Sequence, residues 1–502
     1  MRRLLLLALL LPGLASSNDL YETHCASCHG AQRLGGMGPA LLPESLSRLK
    51  KPAAARMVRD SRPGVQMPAF RKELSDAQIA ELIELIYSPV TPAPRWGEAE
   101  IRGSRVVHYA RGSLPAAPQF DADPMNLFVV VEAGDHHVTI LDGDRLEPIH
   151  RFASRYALHG GPKFSRDGRY VYFASRDGWI SKFDLWNLKT VAEVRAGINT
   201  RNAAVSSDGR YVMVANTLPR TLVALDAQLE LVKIIAAPSR ISAVYDAAPR
   251  SSFIAALRDV AEVWEISYDP KAEHFPAGLV HDFRTKEGSF IPGFLNPRRT
   301  LLAEVLDDFF FTPDFSTLVG ASRDGKRGQV VQLDVRRAIA SVDLPGLPHL
   351  ASGISWERQG RRVMATPNLR EGLVTVIDIA TWRTVKQVPT LGAGFFLRSH
   401  EATRYAWVDS MMSAHGRDTL QVIDKDSLEV VARLTPEPGK TLAHVEFDRY
   451  GRYALASLWE NDGALIVFDA RTLAEVKRIP MRKPVGKYNV HNKIMRSEGT
   501  SP

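Results

Sequence analysis

A sequence repeat over residues 121–502 constrains the fold of this chain more than any other feature. Each unit contains an apolar strand, a polar turn that often reads Asp-Gly-Arg, a second apolar strand, another turn and a strand that ends in Asp. One first-turn residue from each unit marks the phase of the repeat: Asn126, Gly168, Gly209, Arg250, Phe315, Gly360, Thr403 and Gly451. Successive markers are 42, 41, 41, 65, 45, 43 and 48 residues apart. Eight units of blade length predict an all-β eight-bladed propeller, with an insertion around His274 to Pro297 that is expected to form a loop.

The repeat also predicts which side chains meet at one end of the propeller. The innermost strand of each blade begins at one face of the central channel, so residues seven to eleven positions before each marker should gather around one mouth. This window contains His159, Arg201, Arg240, Asp307, His349 and His444. Histidines can bind iron and arginines can neutralise carboxylates, which favours a non-covalent haem. The alternative is structural, with each histidine only hydrogen-bonded to a neighbouring blade.

The only two cysteines of the chain lie in Cys25-Ala26-Ser27-Cys28-His29. Two thiols at this spacing can add to the two vinyl groups of haem, while the adjacent His29 supplies an axial nitrogen to the iron. A redox dithiol or half of a zinc site is the alternative, but neither explains His29 and no second cysteine pair exists. The motif therefore predicts one covalent haem c.

Residues 18–92 have the pattern of a small all-α cytochrome c domain around this motif. Ser75-Asp76-Ala77-Gln78 opens an apolar-periodic segment that ends near Tyr87, which predicts a capped helix. Met67 is the predicted second axial ligand, because a thioether favours reduced iron. An ordinary core methionine is the alternative. A linker is expected over residues 93–120.

The N-terminus and the charge indicate where the protein works. Residues 1–17 combine two arginines, an apolar run and small residues, which is the pattern of a secretory signal peptide, and with the haem motif this predicts the periplasm. No later segment has the pattern of a membrane span. The net charge is +8. Because no basic run with interleaved aromatic residues occurs, we expect an anionic small ligand and no nucleic acid.

A cytochrome c domain joined to an eight-bladed propeller resembles the cytochrome cd1 nitrite reductase superfamily, whose propeller carries haem d1. The resemblance covers essentially the whole mature chain. It is carried by residues 126–128, 156–159, 184–186, 347–349 and 484–490. It implies that His159 is the proximal ligand of the haem d1 iron. It also implies that three arginines lie near the carboxylates of the tetrapyrrole, namely Arg176, Arg201 and Arg240.

The departures from the reductases change the implied reaction. The reductases place two distal histidines over the d1 iron; His349 matches one, but Leu306-Asp307-Asp308-Phe309 stands at the position of the other. An Asp there should repel nitrite. In addition, His444 stands where the reductases typically lack a histidine. This combination is similar to a periplasmic paralogue of the reductases, which the resemblance implies is the dehydrogenase that completes haem d1 synthesis.

The resemblance implies oxidation of a propionate of dihydro-haem d1 to an acrylate. His444 is expected to abstract the proton and Tyr488 to position or relay it, while His159 and His349 hold the iron. Electrons are expected to pass to haem c and then to an external acceptor, with a nitrite reductase as a further expected partner. Two alternatives remain open: a nitrite reductase, and a carrier that stores or transfers haem d1.

Overall fold

The computed structural model of the chain describes residues 16–36, 38–47, 49–61, 67–275, 281–282, 287–288, 291–322 and 327–495. The chain divides into two compact units, Met1–Pro94 and Arg95–Pro502. Residues 1–15 of the predicted signal peptide lie outside the described residues. Among the helices that are described, none is both long enough and apolar enough to cross a membrane.

The first unit is a small helical domain. Its helices are α1 (Ser17–His24), α2 (Ala26–His29), α3 (Pro43–Leu46), α4 (Lys51–Asp60) and α5 (Asp76–Tyr87). Ser75 caps α5 in a reciprocal capping box with Gln78, as the sequence predicted, and Ser16 caps α1 in the same way with Asp19. The apolar faces of α1, α4 and α5 pack into one core, which also contains the Cys25 side chain. The haem motif is therefore built onto the hydrophobic core of this unit.

The second unit is an eight-bladed β-propeller, which confirms the predicted fold. It begins with α6 (Glu98–Ser104) and a short strand, β1 (Val106–Val107). The next strands in chain order are β2 (Leu127–Glu132), β3 (His137–Asp142), β4 (Glu147–Ala153), β5 (Lys163–Phe164), β6 (Tyr170–Ala174), β7 (Trp179–Asp184), β8 (Lys189–Arg195), β9 (Asn199–Val205), β10 (Tyr211–Leu218), β11 (Thr221–Asp226), β12 (Leu231–Ala236), β13 (Ile241–Ala247), β14 (Ser252–Leu257) and β15 (Glu262–Ser267). Four short strands of an insertion follow: β16 (His274–Phe275), β17 (His281–Asp282), β18 (Glu287–Gly288) and β19 (Ile291–Pro292).

The remaining blades follow the insertion. Their strands are β20 (Pro297–Leu301), β21 (Asp308–Phe311), β22 (Thr317–Ala321), β23 (Gly328–Gln332), β24 (Arg337–Val342), β25 (Ile354–Arg358), β26 (Arg361–Pro367), β27 (Leu373–Asp378), β28 (Arg383–Pro389), β29 (Leu397–Arg398), β30 (Tyr405–Val408), β31 (Leu420–Asp424), β32 (Val430–Leu434), β33 (Leu442–Phe447), β34 (Tyr453–Leu458), β35 (Gly463–Asp469), β36 (Glu475–Met481) and β37 (Pro484–Asn489), and α7 (Val490–Met495) ends the described chain. Seven blades are antiparallel sheets of strands that follow one another in the chain, numbered β5–β8, β9–β12, β13–β15 with β20, β21–β24, β25–β28, β29–β32 and β33–β36.

The remaining blade combines the two ends of the propeller. Its strand order is β37-β2-β3-β4, so the innermost strand comes from the C-terminal end and the other three come from the N-terminal end. Val129 pairs with Tyr488 and Val130 with Lys487 in an antiparallel register. The hydrogen bonds of this pairing join the two chain ends of the propeller within one blade and so close the ring.

Apolar packing between neighbouring blades holds the ring together. All six residues of β2 are buried, because both faces of a blade are covered by adjacent blades. One cluster joins Leu222 of β11 to Phe253 of β14, and another joins Trp407 of β30 to Phe447 of β33. The core is therefore a ring of inter-blade layers, which explains why many strands read as continuous apolar runs.

Two segments differ from the sequence-based expectation. Residues 93–120, expected to be a linker, contain α6 and β1, and β1 pairs with the outer strand β8. The indole nitrogen of Trp96 donates to the Arg195 carbonyl at 2.9 Å, which fixes this segment to the blade edge. The insertion, expected to be a loop, contains two short ribbons, in which β16 pairs with β19 and β17 with β18. Isolated pairs of two-residue strands leave little periodicity for a sequence pattern to reveal.

A turn glycine before β7 allows a test of the close packing where β7 and β8 meet in one blade. Gly178 has φ +95°, and a Cβ there would lie 1.8 Å from the Gly197 carbonyl oxygen. Gly209 has a similar φ of +71°, but its Cβ would meet no atom within 4 Å. Gly209→Ala should cost about 1 kcal/mol of unfolding free energy through backbone strain alone. Gly178→Ala should cost at least about 3 kcal/mol, because the carbonyl must also move.

Denaturant unfolding of the two variants measures this difference directly. Equal losses for Gly178→Ala and Gly209→Ala would contradict the close approach of the two turns.

Candidate functional site

The haem motif of the first unit presents two thiols and one imidazole nitrogen. Cys25 and Cys28 are free cysteines at the start and in the body of α2. His29 is 7% exposed, and its Nδ1–H donates to the Pro39 carbonyl at 2.8 Å. Since Nδ1 is the donor, the lone pair of Nε2 is available to a metal. Burial lowers the pKa of His29, which keeps the ring neutral.

A glycine packs directly against the imidazole of the motif. A Cβ at Gly38 would lie 2.4 Å from His29 Cε1, so only glycine leaves the ring in place. The backbone N–H of Gly38 donates to the Cys28 carbonyl at 2.7 Å, which ties the loop to the helix. The two thiols, the oriented imidazole and this glycine fit a covalent haem c.

Met67 lies against the same core. It is half-buried and packs against the hydrophobic cluster of the first unit. The Ser61 hydroxyl donates to the Met67 carbonyl at 2.6 Å. Residues 62–66, which precede Met67, lie outside the described residues. The role of Met67 as an axial ligand stays a prediction.

The described residues at one mouth of the propeller line a cavity of about 290 Å³. Five side chains singled out from the sequence meet there: His159, Arg201, His349, His444 and Tyr488. His159 and His349 lie just before the inner strands β5 and β25, and Arg201, His444 and Tyr488 lie on the inner strands β9, β33 and β37. These positions are far apart in the chain. The cavity is completed by Lys163, Tyr245, Phe395, Phe396, Arg398 and Trp459.

His159 has a fixed tautomer and a nitrogen directed at cations. Its Nδ1–H donates to the Arg201 carbonyl at 2.7 Å, so the lone pair lies on Nε2. That Nε2 accepts from Arg176 Nη2 at 2.8 Å and lies 3.3 Å from Arg201 Nη1. Burial and the two guanidinium groups hold the pKa of His159 well below its usual range. A neutral imidazole oriented in this way is suited to bind iron through Nε2.

His349 repeats the same arrangement from another blade. Its Nδ1–H donates to the Phe395 carbonyl at 2.8 Å, and burial lowers its pKa to about 4. The His349 ring lies 4.0 Å from the Phe395 ring, centroid to centroid. His349 is therefore a second neutral imidazole whose Nε2 is available within the cavity.

His444 differs from the other two histidines, because its free nitrogen has no partner. The residue is 1% exposed and its backbone has φ +51° within β33. Its Nε2 finds no hydrogen-bond partner among the described residues. The Phe396 and Tyr488 rings pack edge-on against it, at 4.5 and 5.2 Å between centroids. Burial and nearby cations hold the pKa of His444 well below its usual range, so the ring is neutral.

Three other predicted positions lie outside this cluster. Arg240 is not among the described residues that line the cavity, and its guanidinium pairs with Asp259 at 2.6 Å. Asp307 pairs with Arg258 at 3.3 Å. Asp308 is buried and accepts the backbone N–H of Ala351 at 2.6 Å, and burial raises its pKa to about 6. Neither Asp307 nor Asp308 lines the cavity.

The sequence analysis missed several charged residues in or beside the site, including Lys163 and Lys493, which line the cavity. Arg398 lines the cavity and is 4% exposed. Asp409, behind it, accepts the backbone N–H groups of Phe395 and Phe396 at 2.7 and 3.0 Å, which holds that loop in place. Lys487 is completely buried beside His444. A charged residue inside an otherwise apolar strand is the signal that could have identified Arg398 and Lys487.

The arrangement supports three chemical tasks. Two neutral imidazoles whose Nδ1–H groups are committed to backbone carbonyls can bind a metal through Nε2, once Arg176 and Arg201 turn from His159 Nε2 towards the carboxylates of a ligand. A third neutral imidazole in a shielded cavity can take a proton near neutral pH. The residues therefore fit an iron tetrapyrrole with acidic side chains and a base beside it.

The contact between Gly38 and His29 generates a prediction for haem c. Gly38→Ala should displace the His29 ring, because the new Cβ would lie within 3 Å of three ring atoms. Covalent attachment should persist, since both thiols remain, but the axial bond to iron should weaken. The absorption spectrum of the reduced protein should lose its low-spin features at unchanged pyridine haemochrome content. Gly103→Ala is the control, because a Cβ there meets no atom within 4 Å; a normal spectrum for Gly38→Ala would contradict the assignment.

Comparison with known proteins places the chain in a family. The cytochrome D1 heme domain model matches residues 122–493, and the model of cytochrome c oxidase, cbb3-type, subunit III matches residues 13–86. The chain is 53% identical to dihydro-heme d1 dehydrogenase of Pseudomonas aeruginosa, over 99% of this chain and 98% of the relative. It is 22% identical to nitrite reductase of Stutzerimonas stutzeri, over 95% and 92% of the two chains.

A solved structure agrees with these relationships. The structure of dihydro-heme d1 dehydrogenase NirN in complex with DHE aligns with a TM-score of 0.85 at 52% identity, over 95% of this chain and 99% of that chain. The propeller with its histidine-lined mouth, the family match over most of the chain and the full-length relative agree. This chain belongs to the cytochrome D1 heme domain family.

Proposed function

We propose that this protein is a periplasmic dihydro-haem d1 dehydrogenase, which oxidises a propionate side chain of its tetrapyrrole substrate to an acrylate. The observation that carries the proposal is the third imidazole, His444, whose Nε2 is unpartnered in a cavity that also presents two imidazoles suited to iron. The 53% identity to a dihydro-heme d1 dehydrogenase over nearly the whole of both chains supports the same reaction.

The reaction removes hydrogen from two neighbouring carbons of the side chain. Conversion of CH₂–CH₂ to CH=CH releases two protons and two electrons, so the site needs a proton acceptor and a route for electrons. His444 is the proposed acceptor of one proton, at Nε2. When bound through Cys25 and Cys28 with His29 as a ligand, haem c supplies a one-electron acceptor that is reoxidised by an external partner.

The tyrosine beside the base is held as a neutral phenol. Burial raises the pKa of Tyr488 to about 12, so its hydroxyl keeps its proton at neutral pH. Glycines on two sides leave room for the ring: a Cβ at Gly486 would lie 2.7 Å from the Tyr488 hydroxyl, and one at Gly161 would lie 3.1 Å from Cε1. Tyr488 can therefore donate a hydrogen bond beside His444 and relay a proton.

The substrate would be held by imidazoles and Arg201 at the cavity wall, with Arg176 beside His159. His159 and His349 would bind its iron through Nε2, because each Nδ1–H is already committed to a backbone carbonyl. Arg176 and Arg201 lie beside His159, and Arg201 Nε donates to the Ser242 carbonyl at 2.7 Å, which fixes its direction. These two cations would neutralise acidic side chains of the tetrapyrrole.

The compartment and the partners are part of the proposal. Export rests on the signal-peptide pattern of residues 1–17 and on the covalent haem motif. The expected partners are an external electron acceptor and a nitrite reductase that receives the finished haem d1.

An anaerobic turnover experiment tests the function. The haem c-loaded protein is incubated with dihydro-haem d1 and an electron acceptor. The d1-type tetrapyrrole is then extracted and its mass is determined by mass spectrometry. The expected product lacks two hydrogens. A pigment that binds tightly but keeps its mass would instead indicate a carrier, and nitrite consumption by the reduced protein would indicate a reductase.

The role of His444 is tested by substitution. His444→Ala should bind dihydro-haem d1 normally but form acrylate at least about 100-fold more slowly, since positioned bases contribute that much or more. His400→Ala is the matched control, because His400 is 2% exposed, has an unpartnered Nε2 among the described residues, and does not line the cavity. Full activity of His444→Ala would refute its assignment as the base.

A further inference from the structure

A lysine lies completely buried behind the proposed base. Lys487 is 0% exposed on β37, the strand that closes the ring. Its Nζ contacts three groups of the neighbouring blade: the His444 carbonyl, the Ser457 hydroxyl at 2.8 Å and His444 Nδ1 at 3.5 Å. Two of these three contacts are to His444 itself, so Lys487 can influence both its backbone and its ring.

The protonation state of Lys487 decides which nitrogen of His444 carries the hydrogen. A charged ammonium donates all three contacts, which makes Nδ1 an acceptor and places the ring hydrogen on Nε2. A neutral amine donates to the carbonyl and the hydroxyl and accepts from Nδ1–H, which leaves the Nε2 lone pair in the cavity. Only the second state allows His444 to take a proton from a bound substrate.

The surroundings favour the neutral amine. The charged groups that face Lys487 are Glu446 on the same strand as His444, Arg398 on β29 and Asp409 after β30. Glu446 and Asp409 favour a cation at Lys487 and Arg398 opposes one, but burial has the largest influence. Burial holds the pKa of Lys487 well below its usual range, and Lys493 is the further cation that faces His444.

We propose that Lys487 is a positioning residue that holds His444 as the Nδ1–H tautomer and accepts that proton during the reaction. The inference rests on the proposed dehydrogenase function. As the substrate C–H bond breaks, an N–H bond forms at Nε2, the Nδ1–H bond breaks and an N–H bond forms at Lys487 Nζ. The electron pair of that C–H bond stays with the substrate and would leave as two single electrons, which haem c and the external acceptor would take up in turn. The second proton, from the neighbouring carbon, would go to water.

The same lysine also fixes the unusual backbone of the base. His444 is a non-glycine residue with φ +51°, and the pairing between β33 and β34 shifts register between Ala443 and Glu446. A left-handed residue inside a strand persists only where its surroundings hold it. The bond from Lys487 to the His444 carbonyl provides such a hold, so the amine sets both the direction and the tautomer of the ring.

Substitution of Lys487 distinguishes the positioning of His444 from a general contribution to the stability of the fold. Lys487→Met should bind dihydro-haem d1 with unchanged affinity, while kcat falls about 10- to 100-fold, the range seen when a partner behind an active imidazole is lost. Lys483→Met is the matched control, since Lys483 is also buried, at 6% exposed, just before the same strand, but the charged group beside it is Glu460. The control should retain full kcat.

The pH profile gives a readout that a structural role would not change. In the wild type, the first proton taken up by the pair can reside on either Lys487 or His444, so the pair binds it more tightly than His444 alone. In Lys487→Met only His444 can take up this proton. The fall of kcat on the acid side of the pH profile should therefore move to lower pH. An unchanged pH profile with unchanged kcat in Lys487→Met would overturn the proposal. An inactive wild-type protein would overturn the proposed function itself.

A measurement on the wild-type protein without dihydro-haem d1 reports the tautomer directly, and His444→Ala is needed only to assign the signal. Ring-nitrogen NMR of the reduced protein, with labelled histidine and the His444 signal identified by its loss in His444→Ala, reports the tautomer directly. The proposal expects hydrogen on Nδ1 of His444 and a lone pair on Nε2. Hydrogen on Nε2 would overturn it.

Discussion

The pairing of β37 with β2 is the interaction on which the rest of the propeller depends. It joins the two ends of the second unit within one blade, so the ring closes through backbone hydrogen bonds. The same strand carries Lys487 and Tyr488, one buried behind His444 and the other lining the cavity. Closure of the ring and assembly of the proposed catalytic groups are therefore one structural event.

Backbone carbonyls determine what the cavity can do chemically. His159 and His349 each commit Nδ1–H to a carbonyl, from Arg201 and Phe395, and so each presents Nε2. At His444 the proposed partner of Nδ1 is an amine, which can take a proton where a carbonyl cannot. This difference in the partner of Nδ1 distinguishes an imidazole suited to hold iron from one suited to move a proton.

The sequence predicts the blades and most of the cavity because both follow from periodicity. A window of seven to eleven positions before the first turn of each unit is sufficient to identify His159, Arg201, His349 and His444, which line one cavity. The same rule fails for Arg240, which directly precedes β13 and pairs with Asp259, while Tyr245 within that strand lines the cavity. Successive side chains of an inner strand point to opposite sides. An error of one residue in the distance from the turn therefore changes which side chain is predicted to face the channel.

Other features depend on contacts that a repeat does not encode. The positions of Lys487 and Arg398 depend on which strands become innermost and on what covers them. Closure of the ring by the C-terminal strand is a tertiary contact that the repeat does not specify. The pairing of β1 with β8 is likewise an edge contact between segments about 85 residues apart. The sequence can mark such a charge within an apolar strand, but the groups that it contacts become known only from the packing.

The central claim is that removal of a side-chain proton within the propeller releases the electrons that reduce haem c. A single anaerobic turnover tests it most directly, with haem c reduction followed by absorbance for ordinary dihydro-haem d1 and for substrate deuterated at the propionate carbons. The account predicts that haem c is reduced in both cases and that deuterium slows the reduction several-fold. Haem c that stays oxidised while acrylate forms would contradict the account.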